Sequence, residues 1–149
     1  MKALSFPNYN FKIKHEDNKT LIFDEYRKKW IILTPEENVR QHLCKYLNKE
    51  LNYPKGLIAI EKQLKVNSLI KRFDIVIYNN DGKPSLIVEC KAPNVKLDTK
   101  TLNQVLRYNI ALKCDIILFT NGIDIHCCKV NFDDATISYL NEIPNYRNL

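Results

Sequence analysis

The segment FDIVIYNNDGKPSLIVECKAP, residues 73–93, contains two apolar runs separated by a short polar stretch. Asp81 and Gly82 lie between the runs, and an Asp-Gly pair flanked by apolar residues is a strong short-range signal for a β-hairpin. If these two residues form the loop, the register places Asp74 directly opposite Glu89. The segment therefore predicts two antiparallel strands with two carboxylates meeting across them.

The register of this hairpin depends on its loop. A two-residue loop places Asn80 opposite Lys83, and a four-residue loop over 80–83 keeps the same register. A three-residue loop, or a bulge in either strand, would move the pairing by one residue and put the two carboxylates on opposite faces. The meeting of Asp74 with Glu89 is therefore conditional on the geometry of the turn.

Two opposed carboxylates need a compensating cation. Directly paired side chains in an antiparallel sheet have Cβ atoms about 4.5–5.5 Å apart, and two half-buried carboxylates at that distance repel each other. Lys91 lies on the same face as Glu89 and is one source of positive charge. A divalent ion is another, and oxygen ligands without histidine favour Mg²⁺ or Mn²⁺. An ion-pair cluster of Asp74, Glu89, Lys91 and Arg72 explains the same spacing, so both interpretations stay open.

The rest of the chain predicts a single mixed α/β domain over residues 1–149. Thr34, Pro35 and Glu37 have the spacing of a helix start, and the helix runs for about four turns. A second helix is predicted over 97–113. Strands are expected at 11–14, 21–23, 30–33, 57–66, 71–78, 85–91, 115–120, 123–130 and, at a sheet edge, 135–140.

This order predicts an α/β fold with a mixed central sheet and a helix on each face. The core, about residues 30–130, has the order αβββαβ. A β-rich extension, 1–33, precedes the core. A tail, 131–149, follows it and is expected to fray after its edge strand.

Composition limits the partners and the compartment. The formal charge is +6 and the pI is near 9.0, which favours a polyanionic partner. Five cysteines without CxxC spacing indicate reduced thiols in the cytoplasm rather than disulfides or zinc ligands. No apolar run approaches the roughly 20 residues that cross a membrane, and the N-terminus has no secretory signal pattern.

Residues 73–93 resemble the core of the PD-(D/E)XK nuclease superfamily. Its signature is an acid early in one strand and Glu-x-Lys on the next, matched here by Asp74, Glu89 and Lys91. The segment TPEENVRQHLCKYL resembles the first helix of the nuclease-like domain at the N-terminus of type I restriction enzyme R subunits. QVLRY is similar to the Gln-x-x-x-Tyr signature of the RecB-like branch, and DIILFTNG matches a late β segment. The resemblance extends over residues 30–130.

The resemblance implies a restriction-endonuclease-like fold and a metal-dependent deoxyribonuclease. It implies that Asp74, Glu89 and the backbone carbonyl of Cys90 hold Mg²⁺, with Mn²⁺ as the alternative ion. Lys91 is then expected to orient the attacking water or to stabilise the negative charge that develops on the phosphate. An RNA-directed nuclease uses the same chemistry, and a non-catalytic DNA-binding or assembly module uses the same fold.

The helices supply further candidates for the catalytic centre. Gln104 and Tyr108 lie at i and i+4 on one helix face, and the resemblance implies that they support the site or contact DNA. Their alternative role is an ordinary polar helix edge. In related nucleases an acid of the first helix points toward the metal. Glu37 is our candidate, although it also occupies the capping-box position, and Glu36 is the alternative. Glu61 lies on the preceding strand, but periodicity does not determine its face.

Three residues are predicted to bind nucleic acid: Arg40, Gln41 and Arg107. The two in the first helix have a second interpretation as solvated helix residues. DNA is the expected partner, with restriction-system or repair subunits as further partners. A homodimer is also considered because cutting both strands of a duplex usually takes two sites. Type I R subunits continue into a helicase motor, and these 149 residues contain no Walker motif. We therefore expect no ATP-driven translocation from this chain.

Overall fold

The computed structural model describes residues 3–149 and has nine β-strands and two α-helices within them. The strands are β1 (Ile13–Glu16), β2 (Lys19–Asp24), β3 (Lys29–Ile32), β4 (Ile58–Val66), β5 (Leu69–Tyr78), β6 (Pro84–Cys90), β7 (Ile116–Thr120), β8 (Ile125–Asn131) and β9 (Thr136–Leu140). The helices are α1 (Pro35–Lys49) and α2 (Thr99–Leu112).

The strands form two separate sheets. β4 to β9 make a six-stranded sheet in chain order, and β1 to β3 make a three-stranded antiparallel sheet. In the larger sheet β6 and β7 are parallel, whereas the other neighbours are antiparallel. The α2 crossover connects the parallel pair, as a parallel connection requires. The predicted mixed α/β fold and the αβββαβ order are confirmed.

Local sequence explains both helix starts. The Thr34 hydroxyl accepts a hydrogen bond from the Glu37 amide at 3.0 Å, and Pro35 occupies the first turn, where its missing N–H costs nothing. The Asp98 carboxylate caps α2 by accepting from the Thr101 amide at 2.9 Å. The second helix therefore begins two residues later than predicted, at Thr99.

Each helix covers one face of the large sheet. The larger core joins α1 to β5, β6 and β7, and the smaller one joins α2 to the opposite face. The fully buried members of the first are Val39, Leu43, Leu47, Tyr53, Ile75, Ile77, Leu86, Val88 and Leu118. The fully buried members of the second are Phe73, Val76, Ile87, Cys114 and Ile117. The predicted arrangement of one helix on each face is confirmed.

The hairpin between β5 and β6 has the predicted register but a different turn. Asn79, not Asn80, lies opposite Lys83: the Asn79 amide donates to the Lys83 carbonyl at 2.8 Å. Residues 80–82 therefore form a three-residue loop, which alone would shift the pairing by one. A bulge between Ile77 and Tyr78 shifts it back. The two offsets cancel, so Ile75 still pairs with Val88, as predicted.

Phe73 does not lie on the face that the alternation of side chains along a strand predicts. Alternation would place Phe73 on the same face as Ile75, but Phe73 packs on the α2 side and Ile75 on the α1 side. The β4–β5 ladder is interrupted between these two residues, where Glu61 has a left-handed φ of +49°. Beyond Asp74, side chains of β5 that alternation would place on the α1 side therefore lie on the α2 side, and the reverse.

The C-terminal tail is docked rather than frayed. The predicted edge strand is present as β9, and Ile143 beyond it is buried. The Tyr53 hydroxyl donates to the Pro144 carbonyl at 2.8 Å, and the Tyr146 amide donates to the Leu51 carbonyl at 2.8 Å. The tail therefore closes the core at the C-terminal end of α1. No helix within residues 3–149 is both long and apolar enough to span a membrane.

Candidate active site

The candidate site lies where β5 and β6 separate. Their last pair within the sheet joins Ile75 to Val88, and the next residue toward the site on β5 is Asp74. Beyond this point the Cys90 amide of β6 donates to Asp74 Oδ2 at 2.9 Å. Its acceptor is therefore a side-chain oxygen of β5, where a regular antiparallel pair would use a backbone carbonyl. The separation of the strands opens space for the carboxylates at the end of an otherwise apolar sheet.

Arg40 of α1 holds the other oxygen of Asp74. Its Nη2 donates to Asp74 Oδ1 at 2.6 Å and lies 3.1 Å from Glu61 Oε1, while Nη1 donates to Glu37 Oε2. The Arg40 side chain is only 6% exposed, and its Nε has no hydrogen-bond partner within residues 3–149. Burial acts to lower the pKa of Arg40, but the hydrogen bond and charge of Asp74 outweigh it and raise the pKa. The guanidinium is therefore a permanent cation in the site.

Glu89 is the carboxylate with the poorest compensation. Its side chain is 11% exposed, and Oε1 finds no hydrogen-bond partner in the described chain. Burial, followed by the negative charge of Asp74, raises the pKa of Glu89 to about 8. The positive charges of Lys71 and Lys91 oppose this rise without cancelling it. A proton or another cation is therefore favoured at Glu89.

Lys71 connects Glu89 to helix α2. Its Nζ lies 3.6 Å from Glu89 Oε1, 5.7 Å from the ring centre of Tyr108 and 5.5 Å from that of Phe73. Sequence reasoning missed Lys71 and named Arg72 instead, because the exchange of faces at Asp74 gives no signal in the sequence. Tyr108 therefore lies beside the Lys71 ammonium group, and it is this ammonium group that lies beside Glu89.

The two acids of the first helix have different environments. Glu37 is buried and accepts hydrogen bonds from Arg27, Arg40 and Gln41, so it is not the capping-box partner of Thr34. Glu36 is half-exposed, and burial followed by the charge of Asp74 raises its pKa. The positive charges of Arg40 and Lys91 oppose this rise in the pKa of Glu36.

The N-terminal extension anchors this corner of the site. Asp24 at the end of β2 is fully buried and accepts from the Arg27 Nε at 2.5 Å and from the amide of Tyr26 at 2.7 Å. Arg27 then donates to Glu37. Sequence reasoning assigned no residue of the extension to the site, and neither Asp24 nor Arg27 has a local motif that reveals this contact.

Two residues predicted to bind nucleic acid are buried instead. Arg40 and Gln41 both point into the protein, and both donate to Glu37. A phosphate cannot reach a side chain enclosed in this way, so the assignment of these two residues to a nucleic-acid surface is corrected. They position acids of the site.

The remaining candidates lie on α2. Gln104 is exposed one turn before Tyr108 on the same helix face. Arg107 is exposed on a different face, where it borders a groove of about 500 Å³ between α2 and the β8–β9 hairpin, together with Ile110 and Phe132. The structure therefore gathers Asp74, Glu89, Lys91 and Glu36 and places Arg107 on another surface.

The oxygen atoms at the candidate site are donors of the kind that Mg²⁺ takes. Within residues 3–149 no three His, Cys, Asp or Glu side chains converge to hold a metal. Two carboxylates and one backbone carbonyl, completed by water, still fit Mg²⁺, which usually keeps several waters. Glu89 Oε1 has no hydrogen-bond partner within residues 3–149 and only the Lys71 ammonium at 3.6 Å, so it is available as a ligand, whereas each oxygen of Asp74 already accepts one hydrogen bond. The residues fit such an ion, with Glu89 as the freer ligand.

Comparison with solved structures supports the fold. A fragment of a protein provisionally classed as an HsdR subunit of a type I restriction enzyme from Vibrio vulnificus YJ016 matches with a TM-score of 0.53 at 19% identity. The match includes 76% of this chain but only 24% of that chain, so this chain spans about a quarter of its length. At this identity the likeness concerns the fold alone.

A second match is to a protein from Anabaena variabilis ATCC 29413, provisionally classed as a nuclease belonging to DUF820. Its TM-score is 0.49 at 12% identity, over 85% of this chain and 79% of that one. No curated protein matches the sequence.

The sequence itself matches a family over residues 35–144, from the first helix through β9 and into the docked tail. This range contains Asp74, Glu89 and Lys91 and more than half of the chain. The protein belongs to the family described as the type I restriction enzyme R protein N terminus (HSDR_N), with a restriction-endonuclease-like nuclease fold.

Proposed function

We propose that this chain is a metal-dependent nuclease domain that hydrolyses phosphodiester bonds in DNA. The observation that carries the proposal is Glu89: a buried carboxylate with one unpartnered oxygen, beside Asp74, at the point where two strands separate. A site of this kind favours a cation, and Lys91 supplies a positive charge next to it. Family membership agrees with nuclease chemistry.

In this proposal Asp74, Glu89 and the Cys90 carbonyl hold Mg²⁺ or Mn²⁺. When bound, the ion polarises the scissile phosphate. Lys91 orients the attacking water and stabilises the negative charge that develops on the phosphate. Arg40 keeps Asp74 in position through the hydrogen bond at 2.6 Å, so it is a positioning residue.

The other predicted residues have supporting roles in the proposal. Glu36 takes the role of the first-helix acid, because the charges of Asp74 and Lys91 both act on it, whereas Glu37 is enclosed by Arg27, Arg40 and Gln41. Tyr108 restrains Lys71 and thereby Glu89, and Gln104 lies on the same helix face toward the solvent. Arg107 contacts DNA outside the centre of the site.

The chain is proposed to act as one domain over residues 1–149. Its proposed setting is the cytoplasm, with DNA and the subunits of a restriction or repair system as partners. A homodimer would supply the two sites that cutting both strands of a duplex usually takes.

The direct test is cleavage of plasmid and linear duplex DNA, with a matched RNA, in Mg²⁺, Mn²⁺ or Ca²⁺. We expect Lys91→Ala to lose at least about 100-fold in cleavage rate while DNA affinity is retained. Lys83→Ala, which removes an exposed lysine from the far end of the hairpin, should cleave like the wild type. Calorimetric titration with Mn²⁺ gives a second measurement, because Glu89→Gln should abolish binding of the ion without reference to activity.

A non-catalytic DNA-binding or assembly module is the second candidate. The closed network around Arg40 favours it, because Asp74 already has a buried cation at 2.6 Å and does not require a metal. Pure wild-type protein that binds DNA but cleaves no DNA form in any of the three ions would establish this candidate and reject the nuclease.

A further inference from the structure

The β4–β5 hairpin extends past the candidate site as a two-stranded ribbon, residues 62–73, called here the basic ribbon. Five pairs between β4 and β5 lie beyond the last pair of β5 with β6, which joins Ile75 to Val88. A two-residue turn at Asn67 and Ser68 closes the ribbon, and Asn67 has the positive φ of +57° that such turns need. Within the described chain, β4 is also the edge of the sheet.

The two faces of the basic ribbon have different roles. On one face Leu64, Val66 and Phe73 pack against α2, so the ribbon is held in position. The opposite face is exposed and has two direct cross-strand pairs, which join Gln63 to Arg72 and Lys65 to Ile70. The core therefore supports a surface that faces solvent.

The charge and polarity of this surface indicate its partner. This face carries two cations and no acid, Lys65 and Arg72, whereas Lys62 and Lys71 lie on the α2 face, opposite Phe73 and Leu64. At the tip, Ile70 on the same exposed face is 71% exposed. Cations beside an amide and an exposed apolar side chain match a DNA groove, where Lys and Arg contact phosphates and apolar groups contact base edges. A two-stranded β-ribbon also fits the width of the major groove.

The basic ribbon begins at the candidate site. Arg72 Nη1 lies 3.4 Å from Glu61 Oε2, and Lys71 Nζ lies 3.6 Å from Glu89 Oε1. Of these two residues only Arg72 lies on the exposed face, so a duplex bound there would reach the site at Glu61, whose other carboxylate oxygen lies 3.1 Å from the Arg40 Nη2 that holds Asp74. We propose that the exposed face of the basic ribbon is the docking surface for duplex DNA. The ribbon would enter a groove of the DNA and hold the duplex next to the site. This inference rests on the proposed function.

The test is equilibrium binding of a labelled duplex oligonucleotide to the full chain, without divalent ions so that cleavage does not interfere. We expect Lys65→Ala to weaken binding about three-fold or more and to reduce the slope of log affinity against log salt by about 0.9, the value of one phosphate contact. Ile70→Ser should weaken binding with no change in this slope, because it removes an uncharged contact.

Matched controls lie far from the basic ribbon. Lys83→Ala removes an exposed lysine from the loop at the other end of β5, and Ile13→Ser removes an exposed isoleucine from β1. Both should retain the wild-type affinity and salt slope. Circular dichroism should show that all four variants melt like the wild type. The inference is overturned if Lys65→Ala and Lys83→Ala have equal effects, or if the wild-type chain binds no duplex.

The outcomes also separate this inference from the proposed function. Duplex binding that depends on Lys65 and Ile70, without cleavage in Mg²⁺, would support the ribbon and reject the nuclease. If the wild type and the ribbon variants cleave DNA with equal KM and bind it with equal affinity, the nuclease is supported and the inference about the ribbon is rejected. If Ile70→Ser instead converts a dimer to a monomer in sedimentation and leaves DNA binding unchanged, the tip is a contact between copies of this chain and the inference fails.

Discussion

Replacing Arg40 by methionine should remove the central cation of the candidate site with little change in side-chain volume. The Arg40 guanidinium forms ion pairs with four carboxylates. Asp74 lies at 2.6 Å, Glu61 at 3.1 Å and Glu36 at 3.6 Å, and Glu37 accepts a hydrogen bond from it. One guanidinium thus compensates four carboxylates, two of which are in almost fully buried side chains.

Breaking a buried ion pair from one side typically costs about 3–5 kcal/mol, because the partner remains charged and buried. A domain is stable by only about 5–15 kcal/mol, so Arg40→Met should lose about a fifth or more of its free energy of unfolding at neutral pH. The loss should shrink toward pH 4, because burial and then the charge of Asp74 raise the pKa of Glu36, which therefore binds a proton more readily than an ordinary glutamate. Urea unfolding followed by circular dichroism at both pH values measures the difference.

Arg72→Met is the matched control. Arg72 is also an arginine beside Glu61, at 3.4 Å, but its side chain is 58% exposed. Exposed pairs contribute about 1 kcal/mol or less, so this variant should be close to the wild type. Equal losses in the two arginine variants, or a loss below about 1 kcal/mol for Arg40→Met, would refute the role of burial. If Arg40→Met does not fold, Arg40→Lys keeps the charge without the fork geometry and should show an intermediate loss.

Two further predictions concern pH and the backbone. The pKa of Glu89 is raised to about 8, so its contribution to stability is fully present below its ordinary pKa and is lost as pH rises toward 8. The metal-free wild type should lose up to about 1.4 kcal/mol per pH unit relative to Glu89→Gln in urea unfolding between about pH 5 and 8, and parallel curves would contradict this. Gly122→Ala should cost about 2 kcal/mol or more, because φ is +85° and the new Cβ would lie 2.9 Å from Leu4 and Val39. Gly56→Ala, with open space around it, should stay within about 0.5 kcal/mol, and equal losses would argue against strain at Gly122.

The sequence predicted the elements whose determinants are local. Thr34 and Pro35 begin α1, and the Asp-Gly turn joins β5 to β6. The register of that hairpin was predicted correctly although its loop was not, because the three-residue loop and the bulge at Tyr78 cancel. Such a cancellation leaves no pattern in the residues, since each offset depends on hydrogen bonds around Asn79.

The candidate site was harder to predict because its surroundings depend on tertiary contacts. Arg40 lies three residues after Glu37, and this spacing indicates an ion pair within one helix. The contact of Arg40 with Asp74 on β5 joins residues that are 34 positions apart, and the spacing does not predict it. Lys71, and not the predicted Arg72, lies beside Glu89, because the left-handed φ of Glu61 changes which side chains face the site. Non-glycine residues rarely adopt such a φ, and no local motif predicts it here. Docking of the tail depends on the Tyr53 hydroxyl, a contact between residues 91 apart.

The local charge balance explains why Glu89 differs from the other acids of the site. Six carboxylates and five cations gather around α1 and the ends of β5 and β6, which leaves one negative charge in excess in a protein whose formal charge is +6. The acids are Asp24, Glu36, Glu37, Glu61, Asp74 and Glu89, and the cations are Arg27, Arg40, Lys71, Arg72 and Lys91.

The excess charge is concentrated where burial is deep and hydrogen bonding is incomplete. Glu37 and Asp74 both accept from guanidinium groups, whereas Glu89 has only an ammonium at 3.6 Å. Burial, followed by the negative charge of Asp74, therefore raises the pKa of Glu89 where too little positive charge lies nearby to offset it, and within residues 3–149 the same carboxylate has an oxygen without a hydrogen-bond partner. A proton relieves that deficit below about pH 8, and a divalent ion that displaces this proton would relieve it when the proposed nuclease acts.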